Sequence, residues 1–214
     1  MTDFLGVNQK AYDRTRLWVA GLMLTTVTFC LLFGTAMVQA ETADRQFAVE
    51  GAGRASCAAY SDARENNPQR AARYLGFIEG YLTAANRYEP NTFDLAPWHT
   101  AEAFALILDQ HCKQSREDGL AMVAQRLVVS MMPHRLASES ELVELRQGEK
   151  SVLVYDKIIR RAQNQLARRG LFAGERDGKD SPEFREALSR FQQLARLDQS
   201  GIPDVATLWV LLHP

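Results

Sequence analysis

Apolar residues recur at spacings of three and four residues through most of the chain after residue 54. Tyr74, Phe77, Ile78 and Tyr81, for example, lie on one face of a predicted helix. Strand-like alternation is nowhere longer than a few residues. The spacing therefore predicts an all-α fold, made of two small helical domains that follow an N-terminal export signal or anchor.

A polar stretch divides the predicted domains. We place a four-helix domain at residues 41–133, a linker at residues 134–151 and a three-helix domain at residues 152–214. Residues 41–149 hold 11 Lys and Arg against 16 Asp and Glu, a net charge of −5. Residues 150–214 hold 11 against 8, a net charge of +3. This asymmetry indicates that the two parts have different roles.

The first forty residues have the order of an export signal. Three basic residues precede an uncharged run at residues 17–38, and the small residue Ala40 follows it. We predict cleavage after Ala40. The run of 22 residues is longer than the usual signal core of about 7–15 residues and could instead remain as a membrane anchor. Either outcome places residue 41 onward outside the cytoplasm, in the periplasm.

The cysteine count agrees with export. Beyond Cys30, which lies in the apolar run, the chain has only Cys57 and Cys112. An even count in an oxidising compartment predicts a disulfide, with two buried thiols as the alternative. The bridge would close a 55-residue separation and stabilise the fold by about 3–4 kcal/mol.

Composition excludes several classes of function. The formal net charge of −1 argues against a general nucleic-acid binder, which needs a basic surface. The hydrophobic content of 46% is too high for a wholly disordered chain. We therefore expect a folded protein that has no nucleic-acid partner.

No catalytic or metal-binding pattern is convincing. His99 and Glu102 are three residues apart, but no third ligand follows at usable spacing. Glu79 lies among apolar residues and could be a general acid, although an ion pair or a position at the polar edge explains it better. None of the common hydrolase motifs occurs. The sequence predicts a protein that is not an enzyme, with no catalytic residues, no metal and no cofactor.

The C-terminal part has the clearest pattern: helix, loop, helix, turn and helix. From Ile158 to Leu212 it resembles the three-helix peptidoglycan-binding domain of cell-wall hydrolases (the PG_binding_1 type). The landmarks that carry the resemblance are residues 159–166, Gly170, Phe172, Asp177, Gly178, residues 187–192, Gly201, Asp204, Thr207 and Leu208.

The resemblance implies that peptidoglycan is a partner. A stem peptide offers carboxylates and amides, which a shallow groove with an aromatic ring and a guanidinium can hold. Phe172, Arg176 and Asp177 are the local candidates for ligand binding. Core packing explains Phe172 equally well, and turn chemistry explains the other two.

Basic residues cluster along the first C-terminal helix. They suit anionic wall polymers or lipid head groups, although a solvated helix face is the simpler explanation. The residues are Lys157, Arg160, Arg161, Arg168 and Arg169.

The region at residues 54–133 resembles small disulfide-linked periplasmic proteins, namely acid-stress chaperones (HdeA-like) and immunity proteins of secretion systems (Rap1a/Tai type). Cys57, residues 76–81, Asn86, Trp98 and Cys112 carry this resemblance. It implies binding to another periplasmic protein.

Three functions remain open from the sequence. The first is a non-catalytic peptidoglycan-binding protein whose N-terminal domain binds another protein. The second is a periplasmic chaperone or immunity-type protein, which an exposed apolar patch around Tyr88, Phe93 and Trp98 would favour. The third is a non-catalytic regulator of a separate wall hydrolase.

Overall fold

The computed structural model describes residues 46–212, which contain seven α-helices and one two-stranded sheet. The predicted export signal at residues 1–40 lies outside the described residues. The helices are α1 (Cys57–Asn66), α2 (Pro68–Tyr88), α3 (Ala101–Gln114), α4 (Leu120–Met131), α5 (Asp156–Arg168), α6 (Pro182–Ala195) and α7 (Val205–Leu212). The strands are β1 (Leu142–Gln147) and β2 (Lys150–Tyr155).

Side-chain caps fix several helix starts. The Thr100 hydroxyl accepts a hydrogen bond from the Ala103 amide at 3.3 Å, and the Ser181 hydroxyl accepts one from the Phe184 amide at 3.1 Å. The carboxylate of Asp204 accepts from the Thr207 amide at 2.8 Å. Each cap satisfies an amide that has no partner within its own helix.

The all-α prediction is wrong in one respect, because the polar stretch before α5 forms an antiparallel hairpin. β1 pairs with β2 from Leu142 opposite Tyr155 to Gln147 opposite Lys150. Leu145 and Val154 lie on its buried face. Residues 152–155, predicted as the start of a helix, are therefore strand. The protein is mostly helical with one small sheet.

Two hydrophobic clusters form the core of the described residues. The N-terminal cluster joins α1–α4 and contains the disulfide between Cys57 and Cys112, whose Cα atoms lie 4.8 Å apart. The predicted disulfide is thus confirmed. The C-terminal cluster joins α5–α7 and the hairpin, and it also includes Trp98 and Leu136 from the preceding part of the chain. The predicted domain boundaries stay a prediction.

Specific contacts join the segments around these two clusters. Residues Asp94 and Leu136 pair as an isolated antiparallel bridge. Arg161 on α5 donates hydrogen bonds to the carbonyls of His134 and Arg135, the latter at 2.7 Å. Both clusters lie within one compact unit that begins at residue 49. The stretch between α4 and α5 is therefore tied to its neighbours on both sides.

None of the helices within residues 46–212 combines the length and apolarity needed to cross a membrane.

Candidate ligand site on the C-terminal helices

Two buried glutamines hold the two turns of the C-terminal helices in the same way. The side-chain oxygen of Gln163 accepts from the Gly178 amide at 2.9 Å, and its NH₂ group donates to the Lys179 carbonyl at 2.9 Å. The side-chain oxygen of Gln192 accepts from the Gly201 amide at 2.8 Å, and its NH₂ group donates to the Ile202 carbonyl at 3.0 Å. Each glutamine side chain thus provides a hydrogen-bond partner for one backbone amide and one backbone carbonyl of its turn.

Glycine is required at the first of these turns. Gly178 has a φ of +83°, in the left-handed region, and a Cβ atom there would lie 2.6 Å from the carbonyl oxygen of Asp156. The turn therefore packs directly on the start of α5. The loop between α5 and α6 is therefore fixed close to its α6 end, by the contact of Gly178 with α5 and by the cap of Ser181.

Phe172 forms part of a shallow pocket beside this loop. The pocket has a volume of about 360 Å³, and Glu183, Glu186 and Arg190 of α6 contribute to its wall. The Phe172 ring packs edge-on against Phe184, with ring centroids 6.0 Å apart, and only 7% of the residue is exposed.

Two features shape the mouth of this pocket. A Cβ atom on Gly174 would lie 2.7 Å from the Phe172 ring, so glycine lets the loop close over the ring. Arg190 donates to the carbonyl of Leu171 at 3.1 Å, which holds its guanidinium next to the loop. The pocket therefore combines an aromatic edge, two carboxylates and one guanidinium.

The three predicted ligand residues lie on the same loop in different settings. Phe172 lines the pocket, whereas Arg176 and Asp177 are outside its lining. Arg176 is exposed. Asp177 shapes the turn: its carboxylate accepts from the Lys179 amide at 2.9 Å, and this hydrogen bond is the main cause of its lowered pKa. Their role in ligand binding stays a prediction.

Most of the basic residues on α5 contact backbone carbonyls. Lys157 donates to the Glu139 carbonyl at 2.6 Å, and Arg160 donates to the Asp177 carbonyl at 3.0 Å. Burial lowers the pKa of Arg161, whose guanidinium binds the carbonyls at the end of the 3₁₀ helix Met132–His134. These three side chains therefore connect α5 to neighbouring segments, while Arg160 remains exposed.

The residues considered for catalysis are dispersed. Glu79 is exposed on α2, and His99 lies before α3 with its ring stacked on Phe104. Residues 46–212 contain no group of three or more His, Cys, Asp or Glu side chains placed to hold a metal ion.

Sequence reasoning missed Gln163 and the α6 wall of the pocket. One sequence signal for Gln163 was available. Gln163 directly follows an apolar residue, Ala162, on α5, just as Gln192 directly follows the apolar residue Phe191 on α6. Glu183, Glu186 and Arg190 are spaced by three and four residues on α6, but nothing in the sequence places that face opposite the loop.

The comparisons with known proteins agree with this architecture. Residues 156–211 match the family model described as a putative peptidoglycan binding domain. The match covers α5, α6 and all but the last residue of α7, so the resemblance predicted from the sequence is confirmed for this region. No curated protein and no solved structure matches the chain. The resemblance of residues 54–133 to chaperone or immunity proteins stays a prediction.

Proposed function

We propose that this chain is an exported, non-catalytic protein that binds peptidoglycan through α5–α7. The match of residues 156–211 to the putative peptidoglycan binding domain carries this proposal. The loop geometry supports it, because two buried glutamines and a required glycine present a fixed loop beside a pocket.

Export is proposed on two independent observations. The first forty residues have the order of a signal, with cleavage after Ala40 or retention as an anchor. The disulfide between Cys57 and Cys112 suits an oxidising compartment such as the periplasm. Cell fractionation followed by N-terminal sequencing tests this part: recovery in the cytoplasmic fraction would contradict it.

We propose that the pocket beside Phe172 contacts the peptide part of peptidoglycan. The aromatic edge suits an aliphatic side chain, and the guanidinium of Arg190 suits a carboxylate. Arg176, on the same loop, adds a second cation for a ligand that extends beyond the pocket. Asp177 holds the turn that follows Arg176 through its hydrogen bond from the Lys179 amide.

The N-terminal helices α1–α4 are proposed to bind another periplasmic protein, as their resemblance implies. The chaperone or immunity alternative depends on an exposed apolar patch around Tyr88, Phe93 and Trp98. Trp98 is only 5% exposed and belongs to the C-terminal cluster, which makes the patch smaller than the sequence suggested. We therefore keep the peptidoglycan-binding function as the primary proposal.

Co-sedimentation with purified sacculi tests the primary proposal. The test uses residues 41–214, because a fragment from residue 150 would lack Trp98 and Leu136 and expose the C-terminal cluster. We expect the protein to pellet with sacculi. Arg176→Ala combined with Arg190→Ala should weaken binding about tenfold, since charge-assisted hydrogen bonds to a carboxylate would be lost.

The matched control is Arg168→Ala, which removes an exposed cation from α5 and should leave binding unchanged. Binding by the double variant equal to that of the wild type would overturn the pocket assignment. Failure of the wild type to pellet would overturn the proposed function itself.

A further inference from the structure

A second groove lies where α3 meets α7, away from Phe172. It has a volume of about 400 Å³, and both the N-terminal and the C-terminal helices contribute to its walls. Leu106 and Ile107 of α3 face Val205 and Trp209 of α7 across it. Leu106 is 59% exposed and Trp209 is 42% exposed, so the groove presents apolar surface to solvent.

Ring contacts fix the orientation of Trp209. Its ring meets the ring of His99 edge-to-face, with centroids 5.6 Å apart. The His99 ring is in turn stacked on Phe104 at 5.6 Å and on Trp98 at 5.3 Å. The indole is therefore held against a stack of rings while part of its surface remains open, as a preformed binding surface requires.

The polar groups of the groove select against anions. Its lining includes Thr100, Glu102 and Gln110 and contains no Lys or Arg. Glu102 is 3.5 Å from Arg64, which lies outside the lining. A carboxylate and an amide favour a neutral ligand that donates hydrogen bonds, whereas a phosphate or a fatty-acid carboxylate would face the charge of Glu102 without a neighbouring cation in the groove.

We propose that this groove binds the glycan strand of peptidoglycan, with one amino-sugar ring against the indole of Trp209. This inference rests on the proposed function and adds a second site of contact between the protein and peptidoglycan. A sugar ring has an apolar C–H face and a rim of hydroxyl and amide groups. The first matches Trp209 and Leu106, and the second matches Glu102 and Gln110. The glycan backbone is neutral between its peptide attachment points, which agrees with a lining that has no cation.

The proposal gives the N-terminal helices a direct part in wall binding. Because α3 supplies one wall and α7 supplies the other, neither part of the chain forms the groove alone. The Phe172 pocket would then contact the peptide, and the α3–α7 groove would contact the sugar.

Peptide-free, neutral glycan strands, namely oligomers of N-acetylglucosamine, are the probe that tests the proposal. Residues 41–214 retain two tryptophans, Trp98 and Trp209, and Trp98 is buried. We expect saturable binding accompanied by a blue shift of the tryptophan emission. Trp209→Ala should abolish the shift and weaken binding at least tenfold.

A second variant keeps the test valid if Trp209→Ala fails to fold. Leu106→Glu places a charge in the groove from the α3 side, at an exposed position that the core does not use, and should weaken glycan binding to a similar degree. The matched control is Leu194→Glu on α6, where the residue is 72% exposed and lies outside the groove.

The outcomes separate this inference from the proposed function. Pelleting with intact sacculi but no binding to peptide-free strands would overturn the glycan site and leave peptidoglycan binding in place. Unchanged glycan binding by both groove variants would also overturn it. Failure to bind either intact sacculi or glycan strands would overturn both proposals. Binding of apolar peptides but not of glycan strands would identify the groove as a protein-docking site and contradict the inference.

Discussion

Gln192 is the polar residue on which the closing turn of the C-terminal helices depends. It is fully buried, and its NH₂ group also donates to the Thr207 hydroxyl at 2.9 Å. Gln192→Leu would leave the amide of Gly201 and the carbonyl of Ile202 buried without these partners. Each such group costs about 1–3 kcal/mol, so we expect a loss of about 3 kcal/mol in the free energy of unfolding, measured by urea denaturation.

The control for this prediction is Gln193→Leu, because Gln193 is the next residue along α6 and is exposed. Its effect should stay within about 0.5 kcal/mol. Equal effects at positions 192 and 193 would contradict the assigned role.

Gly178 and Gly80 should respond in opposite directions to replacement by alanine. Gly178→Ala places a Cβ atom 2.6 Å from a backbone carbonyl oxygen at a φ of +83° and should destabilise the protein by more than 1 kcal/mol. Gly80 lies within α2, where a Cβ atom would meet nothing within 4 Å. Gly80→Ala should therefore stabilise the protein by about 0.5–1 kcal/mol. Thermal unfolding of the two variants measures both signs, and destabilisation by Gly80→Ala would be the contrary result.

Asp118 should make stability depend on acidic pH. Its carboxylate lies 2.9 Å from His111 Nε2 and 2.6 Å from Arg126 Nη1, and the contact with His111 is the main cause that lowers its pKa below the ordinary 3.8. A carboxyl group whose pKa is lower in the folded state stabilises that state above its unfolded pKa. This contribution is lost as the pH falls through the folded pKa.

We therefore expect Asp118→Asn to be less stable than the wild type near pH 7, with the difference shrinking below about pH 4. Urea unfolding at a series of pH values measures this, with the exposed neighbour Glu117→Gln as the control. A stability difference that is constant over the whole series would contradict the role of the ionised carboxylate.

Individual residues differ in how far their roles could be predicted. Cys57 and Cys112 could be paired because parity and compartment left few alternatives. Asp204 and Ser181 could be assigned as caps because capping is a local property. The roles of Gln163 and Arg190 depend on which loop lies opposite them, and a single sequence does not contain that information.

Arg161 is the side chain that ties α5 to the segment before the hairpin. Its guanidinium is half-buried and donates to two backbone carbonyls, those of His134 and Arg135. Arg161→Ala should cost about 2 kcal/mol, since charge-assisted hydrogen bonds are each worth about 1.5–3 kcal/mol and solvent recovers part of the loss. Hydrogen exchange should then quicken at residues 132–136.

The exposed Arg168 on the same helix provides the control, and Arg168→Ala should leave both stability and exchange unchanged. Exchange that remains slow at residues 132–136 in Arg161→Ala would show that other contacts hold this segment.

The hairpin of β1 and β2 could not be predicted because its alternation of apolar and polar residues is too short. Half of the residues of β1 are polar, and Val143 and Leu145 are the ones that pack against the core. Alternation of this kind over two inward residues is too brief to distinguish a strand from a polar helix. The helices α2, α3 and α6 were predictable because each repeats its apolar face over three or more turns.

At the scale of the whole molecule, the two hydrophobic clusters explain why the sequence predicts two helical parts. Each cluster has its own set of helices, and the disulfide lies within the N-terminal one. The sequence predicts this division through its change of charge, from −5 to +3. It does not predict that Trp98 and Leu136 would pack in the C-terminal cluster, since such long-range packing leaves no local pattern.

The central claim is that the C-terminal helices bind peptidoglycan specifically. A binding isotherm of residues 41–214 on purified sacculi, measured at low salt and at about 1 M salt, tests it most directly. At 1 M salt the screening length is about 3 Å, so attraction that depends on general surface charge is largely removed. The account predicts saturable binding that persists at high salt. Absence of binding, or binding that is lost at high salt, would contradict it.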